Sequence, residues 1–263
     1  DAGQRLDKFL AKAGRGLPAS PMYKFIRTKK IKVNRARAEQ SQLLREGDEI
    51  QLFIKDEFFG APSEDKSALG AIRPKLDILY EDEHILLLNK RPGVLVHDDA
   101  AGGENTLILH VQAYLYGKGE YDPADEQSFA PALCNRIDRN TGGIVIAAKD
   151  AETLRILNEK IRGRELDKRY LCVTVGRPKQ PEGRVECFLL KDEQKKQVSV
   201  YHRPVPGGKT AVTDYRVLDT RGELSLLEIG LETGRTHQIR ATMADLGCPL
   251  LGDGKYGRGD VNR

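Results

Sequence analysis

Hydrophobic residues recur at helical spacing in the first part of the chain and in strand-like runs over most of the remainder. Leu6, Phe9 and Leu10 are spaced as on one face of a helix. After a break rich in glycine and proline, Ser20 is predicted to cap a second helix that begins at Pro21, because proline suits the first helical turn. The pattern predicts two short helices at the start of the chain.

The second helix is followed by a pattern typical of short strands. Met22, Phe25 and Ile26 form its apolar face, while basic residues project elsewhere. Residues 31–34 then alternate between apolar and polar, and a Gly-Asp turn leads into a second alternating run at 49–54. Residues 1–56 are therefore predicted to form a small α/β module.

Residues 57–74 contain proline, glycine, serine and charged residues with little periodicity, as in a linker. A larger domain is predicted at 75–263. Strands are predicted at 76–80, 85–88, 143–148, 170–175, 184–189, 210–218 and 224–231, and helices at 106–116, 151–162 and 236–246. Hairpin-like spacing and few helices favour an α+β fold with a largely antiparallel sheet over a doubly wound parallel fold.

Positive charge is concentrated in the N-terminal module. The 263 residues carry a net charge of +4, but residues 1–56 carry +6 and the others −2. Between residues 21 and 37 there is no acidic residue, and the basic residues are Lys24, Arg27, Lys29, Lys30, Lys32, Arg35 and Arg37. A solvated helix face would also carry such charges, but their confinement to one module favours a polyanion as a partner.

Composition narrows the class of protein. A hydrophobic content of 39% with 31% charged residues suits a soluble globular protein, and no apolar run reaches the length of a membrane span. The chain begins at Asp1 without a Met, which is consistent with a fragment, and no signal peptide is visible. The scattered cysteines predict reduced thiols of a cytoplasmic protein, packed as small core residues. The five dispersed histidines give no reason to expect a metal site.

The basic N-terminal module resembles the S4 RNA-binding module over residues 3–55. The resemblance rests on two small helices, a few short strands, and basic residues at the second helix and the following turn. The matching runs are GQRLDKFL, YKFIRTKKIKVNRARA and LLREGDEI.

The densest polar cluster in the chain is NRIDRNTGG at residues 135–143, which leads directly into an apolar strand. Asp and Asn are ordinary turn formers, and an Asp–Arg pair at a turn is usually structural. The residues alone leave a structural and a catalytic interpretation open.

This cluster resembles the signature of the pseudouridine synthases that carry an N-terminal S4 module and act on large-subunit ribosomal RNA. The resemblance extends from about residue 75 to the end of the chain. Further motifs of that family are NKRPGVLVH from Asn89, KRYLCVTVG from Lys168 and ETGRTHQIRATMADLGCPLLGDGKYG from Glu232. The resemblance implies a monomeric enzyme that isomerises uridine in ribosomal RNA or in the assembling large subunit, without a cofactor or a metal.

The resemblance identifies Asp138 as the catalytic carboxylate. It can attack C1′ of the ribose, as glycosidase carboxylates do, or abstract the 2′ proton to give a glycal. Either route needs an ionised carboxylate in a pocket that excludes water, and a nearby arginine favours the ionised form. Arg235 is the expected ion-pair partner. Arg240, which could also be a surface helix charge, is expected to contact RNA.

The resemblance also implies that the target nucleotide is flipped out of its helix. Arg136 would enter the vacated space, and Arg139 of the same turn would contact RNA. Tyr170 matches the tyrosine that stacks on the flipped base and can serve as acid or base at C5, although a tyrosine opening an apolar strand is often ordinary packing. Flipping costs a few kcal/mol, and stacking returns roughly 1–3 kcal/mol.

The chain departs from the family pattern in two places. Asn135 stands where the family usually has histidine, and asparagine keeps a donor and an acceptor but does not titrate. If the position only orients the turn, activity survives. The family also continues past the GD…YG motif with a further strand, whereas this chain stops at Arg263, which predicts truncation or disorder there.

Two other functions fit parts of the sequence. A non-catalytic RNA-binding factor for ribosome assembly would need only the basic module, but it would not need Asp138, Tyr170 and Arg235. A nucleoside hydrolase would need a second carboxylate as general acid, and the sequence offers none in a convincing position.

Overall fold

The computed structural model describes residues 3–13, 17, 19–54, 69–97, 106–123 and 129–257, without the side chains of residues 12 and 19. The chain forms two compact units, Asp1–Asn158 and Glu159–Arg263.

The first unit begins with two helices and a small antiparallel sheet. The helices are α1 (Leu6–Ala13) and α2 (Ala19–Arg27), and the strands are β1 (Ile31–Val33), β2 (Ala36–Arg37) and β3 (Ile50–Leu52), in the order β2-β1-β3. They enclose a core of their own, which includes Leu6, Leu10, Met22, Ile26, Ile31 and Val33. The predicted apolar faces of both helices are confirmed.

Helix α2 begins at Ala19, two residues before the predicted start. Ser20 lies within the first turn, so the prediction that it caps the helix is wrong. Pro21 also lies in the first turn, where backbone N–H groups have no partner within the helix, and its missing N–H therefore costs no hydrogen bond.

A four-stranded sheet and a helix complete the described part of this unit, and a further helix spans its boundary with the second unit. The strands are β4 (Ile78–Glu81), β5 (Ile85–Lys90), β6 (Ala132–Leu133) and β7 (Gly143–Ala148), in the order β4-β5-β7-β6, and the helices are α3 (Leu107–Gly117) and α4 (Ala151–Arg162). Their core includes Leu86, Leu88, Val111, Leu115, Val145 and Ala147.

The predicted linker is only partly within the described residues, because 55–68 lie outside them. Leu69 is buried and Ile72 is partly buried, and both pack against the core of the four-stranded sheet. The predicted boundaries at 56 and 74 remain predictions.

The second unit contains a five-stranded antiparallel sheet and one helix. The strands are β8 (Arg169–Val175), β9 (Glu182–Asp192), β10 (Gln197–Tyr201), β11 (Lys209–Arg221) and β12 (Leu224–Leu231), in the order β10-β9-β11-β12-β8. Helix α5 (Gln238–Asp245) contributes Met243 to the core, beside Leu227 and Ile229 of β12.

The predicted α+β class is confirmed, because every pairing between the named strands is antiparallel and the helices are few. All four cysteines are free thiols. Burial raises the pKa of Cys134 to about 11 and that of Cys172 to about 12, so both stay protonated at neutral pH. Within the described residues, no helix has the length and apolar character needed to cross a membrane.

Candidate active site

The turn that carries Asp138 is held to strand β7 by Asn135. The Asn135 Nδ2 donates to the carbonyl of Ile144 (3.1 Å), and its Oδ1 accepts from the N–H of Ile146 (2.8 Å). The backbone ladder between β6 and β7 ends with the hydrogen bond from the Cys134 N–H to the carbonyl of Ile146 (2.7 Å). The side-chain amide of Asn135 continues this ladder by one residue. Both bonds use an uncharged donor and acceptor, which supports the expectation that this position orients the turn.

The residues of the turn differ in their exposure. Ile137 packs against the core of the first unit, Asp138 is half-buried, and Arg136 and Arg139 are exposed. The N–H of Thr141 donates to the carbonyl of Asp138 (3.0 Å). The turn therefore presents a fixed carboxylate between two solvent-exposed cations.

A second loop, which follows β5, clamps this turn. Gly93 N–H donates to the carbonyl of Arg139 (2.8 Å), and Arg139 Nε donates back to the carbonyl of Gly93 (3.1 Å). Gly142 lies so close to this loop that a Cβ there would be 3.2 Å from the Cδ of Pro92. A side chain at this position would require the Pro92 ring to move by a few tenths of an ångström.

Lys90, at the end of β5, is the residue that ties the two loops together. It is only 2% exposed, and its Nζ donates to the carbonyls of Arg91 (3.2 Å), Val94 (2.9 Å) and Arg139 (3.0 Å). Burial lowers the pKa of Lys90, and the carboxylate of Asp138 opposes that shift. The ammonium is therefore an electrostatic neighbour of Asp138, which sequence analysis missed because it considered only arginines.

Arg136 lies close enough to His97, the last residue of the NKRPGVLVH motif, to influence its pKa. Loss of hydration and the positive charge of Arg136 both lower the pKa of His97. Both effects favour the neutral form of the imidazole.

Tyr170 lies in the second unit, on edge strand β8. It pairs with Ile229 of β12 and packs, half-buried, against the core around Leu227 and Met243. Ordinary core packing thus accounts for the buried part of the Tyr170 ring. The predicted contact of Tyr170 with a base stays a prediction.

Lys168 extends the β8 ladder beyond Tyr170. Its carbonyl accepts from the N–H of Leu231 (3.0 Å), and residues two apart in a strand share a face. Burial lowers the pKa of Lys168, and the charges of Arg164 and Arg235 lower it further. The second unit therefore gathers cations at the Tyr170 end of its sheet.

Arg235 is held in a loop just before α5 by the buried amide of Gln238. The Gln238 Oε1 accepts from the Arg235 N–H (3.0 Å) and the Thr233 hydroxyl (2.9 Å). Its Nε2 donates to the Val212 carbonyl and the Thr213 hydroxyl of β11, both at 3.0 Å. Four bonds fix this loop to the sheet, and the Arg235 Nε donates to the carbonyl of Thr210 (3.0 Å).

Arg240 faces a different environment from Arg235. Its Nε and Nη2 reach the two carboxylate oxygens of Asp253 at 2.7 and 2.8 Å, and its guanidinium lies 5.1 Å from the ring centroid of Tyr256. With a side chain 25% exposed, it is not the surface helix charge considered from sequence. Its predicted contact with RNA remains a prediction.

The predicted RNA-binding side chains of the N-terminal module are mostly exposed: Lys24, Arg27, Lys29, Lys30 and Arg35 are exposed, and Lys32 is half-buried. Lys29 and Arg35 have positive φ values of 63° and 64°, so both stand at sharp turns next to β1. Among the described residues, no group of three or more His, Cys, Asp or Glu side chains could hold a metal ion.

The predicted site residues thus fall in two places. Asp138, Arg136 and Arg139 share one turn of the first unit, and Tyr170, Arg235 and Arg240 belong to the second unit.

Two family profiles match the chain. The profile of the RNA pseudouridylate synthases matches residues 84–245, which include the Asp138 turn, and the S4 domain profile matches residues 4–50.

Individual relatives agree with these profiles. The ribosomal large subunit pseudouridine synthase D of Borreliella burgdorferi is 33% identical over 80% of this chain and 64% of its own length. The ribosomal large subunit pseudouridine synthase C of Vibrio cholerae is 31% identical over 97% of this chain and 78% of its own length. The chain thus spans less than two thirds of the first of these relatives.

Solved structures share the fold. Human RNA pseudouridylate synthase domain containing 4 has a TM-score of 0.55 and 26% identity, with 70% of each chain covered. Human RNA pseudouridylate synthase domain containing 1 has a TM-score of 0.57 and 20% identity over 71% of each chain.

Proposed function

The chain belongs to the RNA pseudouridylate synthase family, and on that premise we propose that it isomerises uridine to pseudouridine in large-subunit ribosomal RNA. The observation that carries the proposal is the turn of Asp138, which lies within the matched residues and is clamped next to the buried ammonium of Lys90. The names of the two bacterial relatives support the large-subunit substrate.

The reaction breaks the bond between C1′ and N1, turns the uracil in place, and forms a bond between C1′ and C5. The proton on C5 leaves to solvent and N1 gains one, so the balance requires no oxidant, reductant or transferred group. We propose that Asp138 opens the sequence, by attack on C1′ or by removal of the 2′ proton. Lys90 places a positive charge near the Asp138 carboxylate and holds the backbone of its turn.

The other roles follow from the resemblance. Arg136 and Arg139 are exposed on the Asp138 turn, and we assign Arg136 to the space vacated by a flipped nucleotide and Arg139 to contact with the surrounding RNA. Tyr170 is assigned to the base, where its hydroxyl can move the C5 proton, and Arg235 to support of the carboxylate. Arg240 is assigned to RNA, and its pairing with Asp253 limits that role to its remaining surface.

The N-terminal module supplies the affinity for RNA in this proposal. Its exposed cations are separated in sequence from the Asp138 turn, so the module holds the RNA while the turn performs the chemistry. We propose that the protein acts as a monomer in the cytoplasm, on ribosomal RNA or on the assembling large subunit.

The test is a tritium-release assay with unmodified large-subunit RNA labelled at C5 of uridine. The wild type releases tritium and leaves mappable pseudouridine, whereas Asp138→Asn releases none above background and binds RNA within about twofold of wild type. The matched control Asp219→Asn removes an exposed carboxylate, 53% accessible, and keeps full activity. Tritium release by Asp138→Asn would remove Asp138 from its role.

The alternative is a non-catalytic RNA-binding factor for ribosome assembly with the same fold. It predicts that wild type and Asp138→Asn bind RNA alike and that neither forms pseudouridine at any site of the RNA.

A further inference from the structure

The outer face of the three-stranded sheet in the N-terminal module carries a grid of cations beside an exposed aromatic ring. Ile31 and Val33 of β1 point into the module's core, so the alternate residue Lys32 points outward. Directly opposite residues of antiparallel strands share a face. Arg37 of β2 and Gln51 of β3 both pair with Lys32 and therefore lie on the same face.

Phe53 adds an aromatic ring to this face. Its N–H donates to the carbonyl of Lys30 (2.7 Å), which extends the β1–β3 ladder by one pair. Because Phe53 is two residues beyond Gln51, it stands on the outer face. The ring is 59% exposed, and the Nζ of Lys32 lies 5.4 Å from its centroid.

These features do not serve the stability of the module. Like charges directly opposite each other on paired strands are destabilising, yet Lys32 and Arg37 occupy such a pair. An exposed phenylalanine likewise contributes little to folding, because most of its ring stays in water. Departures of this kind from local stability rules are expected at functional surfaces.

Charge on this face is graded along β3. Glu49, which accepts a hydrogen bond from the Gln51 amide (2.8 Å), lies on the same outer side at the opposite end of the strand. Phe53 is four positions further along the chain, a distance of roughly 13 Å in an extended strand. The Phe53 end, next to Lys30 and Lys32, is therefore the positive end.

We propose that Phe53 is a stacking platform for an unpaired base of RNA, with Lys32 and Arg37 holding the phosphates on either side of that base. A nucleotide combines a flat ring with a negatively charged phosphate, as this face combines an aromatic ring with cations, and stacking on an aromatic ring needs no particular base. This rests on the proposed function, because it deepens how the module grips RNA, and it gives the module a preference for single-stranded over paired RNA.

The experiment measures binding of the full chain to a single-stranded RNA oligonucleotide and to a duplex of equal length, across a series of salt concentrations. Phe53→Ala weakens single-strand binding by about 5- to 150-fold, the factor that corresponds to loss of one stacked base. It leaves duplex affinity and the salt slope unchanged, because paired bases are already stacked. Phe53→Tyr retains the affinity, and Phe53→Leu, which keeps apolar area without a ring, does not.

Loss of Lys32 or Arg37 is expected to change the salt dependence of binding. Lys32→Gln and Arg37→Gln each make the log–log salt slope less steep by about 0.7, the value for one phosphate of a single strand. The control Leu43→Ala removes a side chain of the same module that is 61% exposed and lies outside the grid, and it leaves both affinities unchanged. Thermal unfolding of each variant confirms that the module is folded.

Unchanged single-strand affinity in Phe53→Ala overturns the proposal, and so does an equal loss for both RNAs. Failure of the stacking proposal can be distinguished from failure of the proposed enzymatic function. Wild type that forms pseudouridine but binds RNA independently of Phe53 refutes only the stacking platform. Wild type that needs Phe53 for binding but forms no pseudouridine refutes only the enzyme.

Discussion

Lys90 is a charged side chain enclosed by backbone carbonyls at the end of β5. Burial of an ammonium is costly, and three hydrogen bonds to carbonyls offset that cost. Since one of those carbonyls belongs to Arg139, the residue after Asp138, the ammonium fixes the turn mechanically as well as electrostatically. Lys90 is therefore a positioning residue for Asp138.

Replacing Lys90 by methionine, which has a similar length and no charge, is expected to lower kcat at least tenfold and leave RNA affinity nearly unchanged. The carbonyls of Arg91, Val94 and Arg139 lose their donor, so unfolding should also become easier by about 2–4 kcal/mol. Single-turnover kinetics well below the unfolding temperature, together with denaturant titration, measure both effects.

The control is Lys191→Met, which removes an ammonium that is 45% exposed and paired only at the surface. Its expected effect on stability is under 1 kcal/mol. Lys90→Met with wild-type kcat would show that the clamp serves folding alone.

The two polar residues that organise the candidate site could not be predicted from the sequence. Lys90 and Gln238 are each about 2% exposed, but in the sequence each is an ordinary polar residue at the edge of an apolar run. Their burial depends on carbonyls and hydroxyls supplied by distant segments, such as Val212 and Thr213 for Gln238. Asp138 was identified by the family motif, and its turn alone did not distinguish catalysis from structure.

Among the elements, those with a strong apolar pattern were predicted closely. The predicted bounds of β7, α4 and β12 agree with Gly143–Ala148, Ala151–Arg162 and Leu224–Leu231. Strands β2, β6 and β10 were not predicted. The first two have two residues each, which is too short for a period to show, and β10 is an edge strand whose pairing with β9 supplies the order that its mixed sequence lacks.

The ion pair of Arg240 and Asp253 connects helix α5 to the turn that follows it. Burial by itself would raise the pKa of Asp253. Hydrogen bonds from Arg240 and from the N–H groups of Lys255 and Tyr256 outweigh it and bring that pKa to about 2, against an ordinary value of 3.8. The side chain of Asp253 is only 4% exposed, so water screens this pair little.

Because the pKa of Asp253 is lower in the folded state, its stabilisation is present above pH 3.8 and is lost as the pH falls towards 2. Asp253→Asn is therefore expected to reduce the free energy of unfolding at pH 7 by about 2 kcal/mol or more. The gap from wild type should narrow between pH 4 and pH 2. Urea titrations over pH 2–7 measure it, and a gap that stays constant with pH would contradict the assigned pKa.

At the scale of the whole molecule, charge and core are divided along the chain. Residues 1–56 carry a net charge of +6 while the remaining residues carry −2. Among the described residues, the core of the N-terminal module lies between residues 6 and 54, and the core of the four-stranded sheet begins at residue 69. We therefore propose that affinity for a polyanion and chemistry on a nucleotide reside in different parts of the chain.

Deletion of residues 1–56 is the direct test of this division. The shortened chain is expected to bind ribosomal RNA more weakly and with a flatter salt dependence, because each phosphate no longer neutralised removes about 0.7 from the log–log slope on single strands. At saturating RNA it should keep its single-turnover rate, since the Asp138 turn and its Lys90 clamp lie outside the deleted part. Circular dichroism and thermal unfolding establish that it is folded. If the salt slope were unaltered, the phosphate contacts would have to be sought among Arg136, Arg139 and Lys168 instead, and the N-terminal module would need another partner.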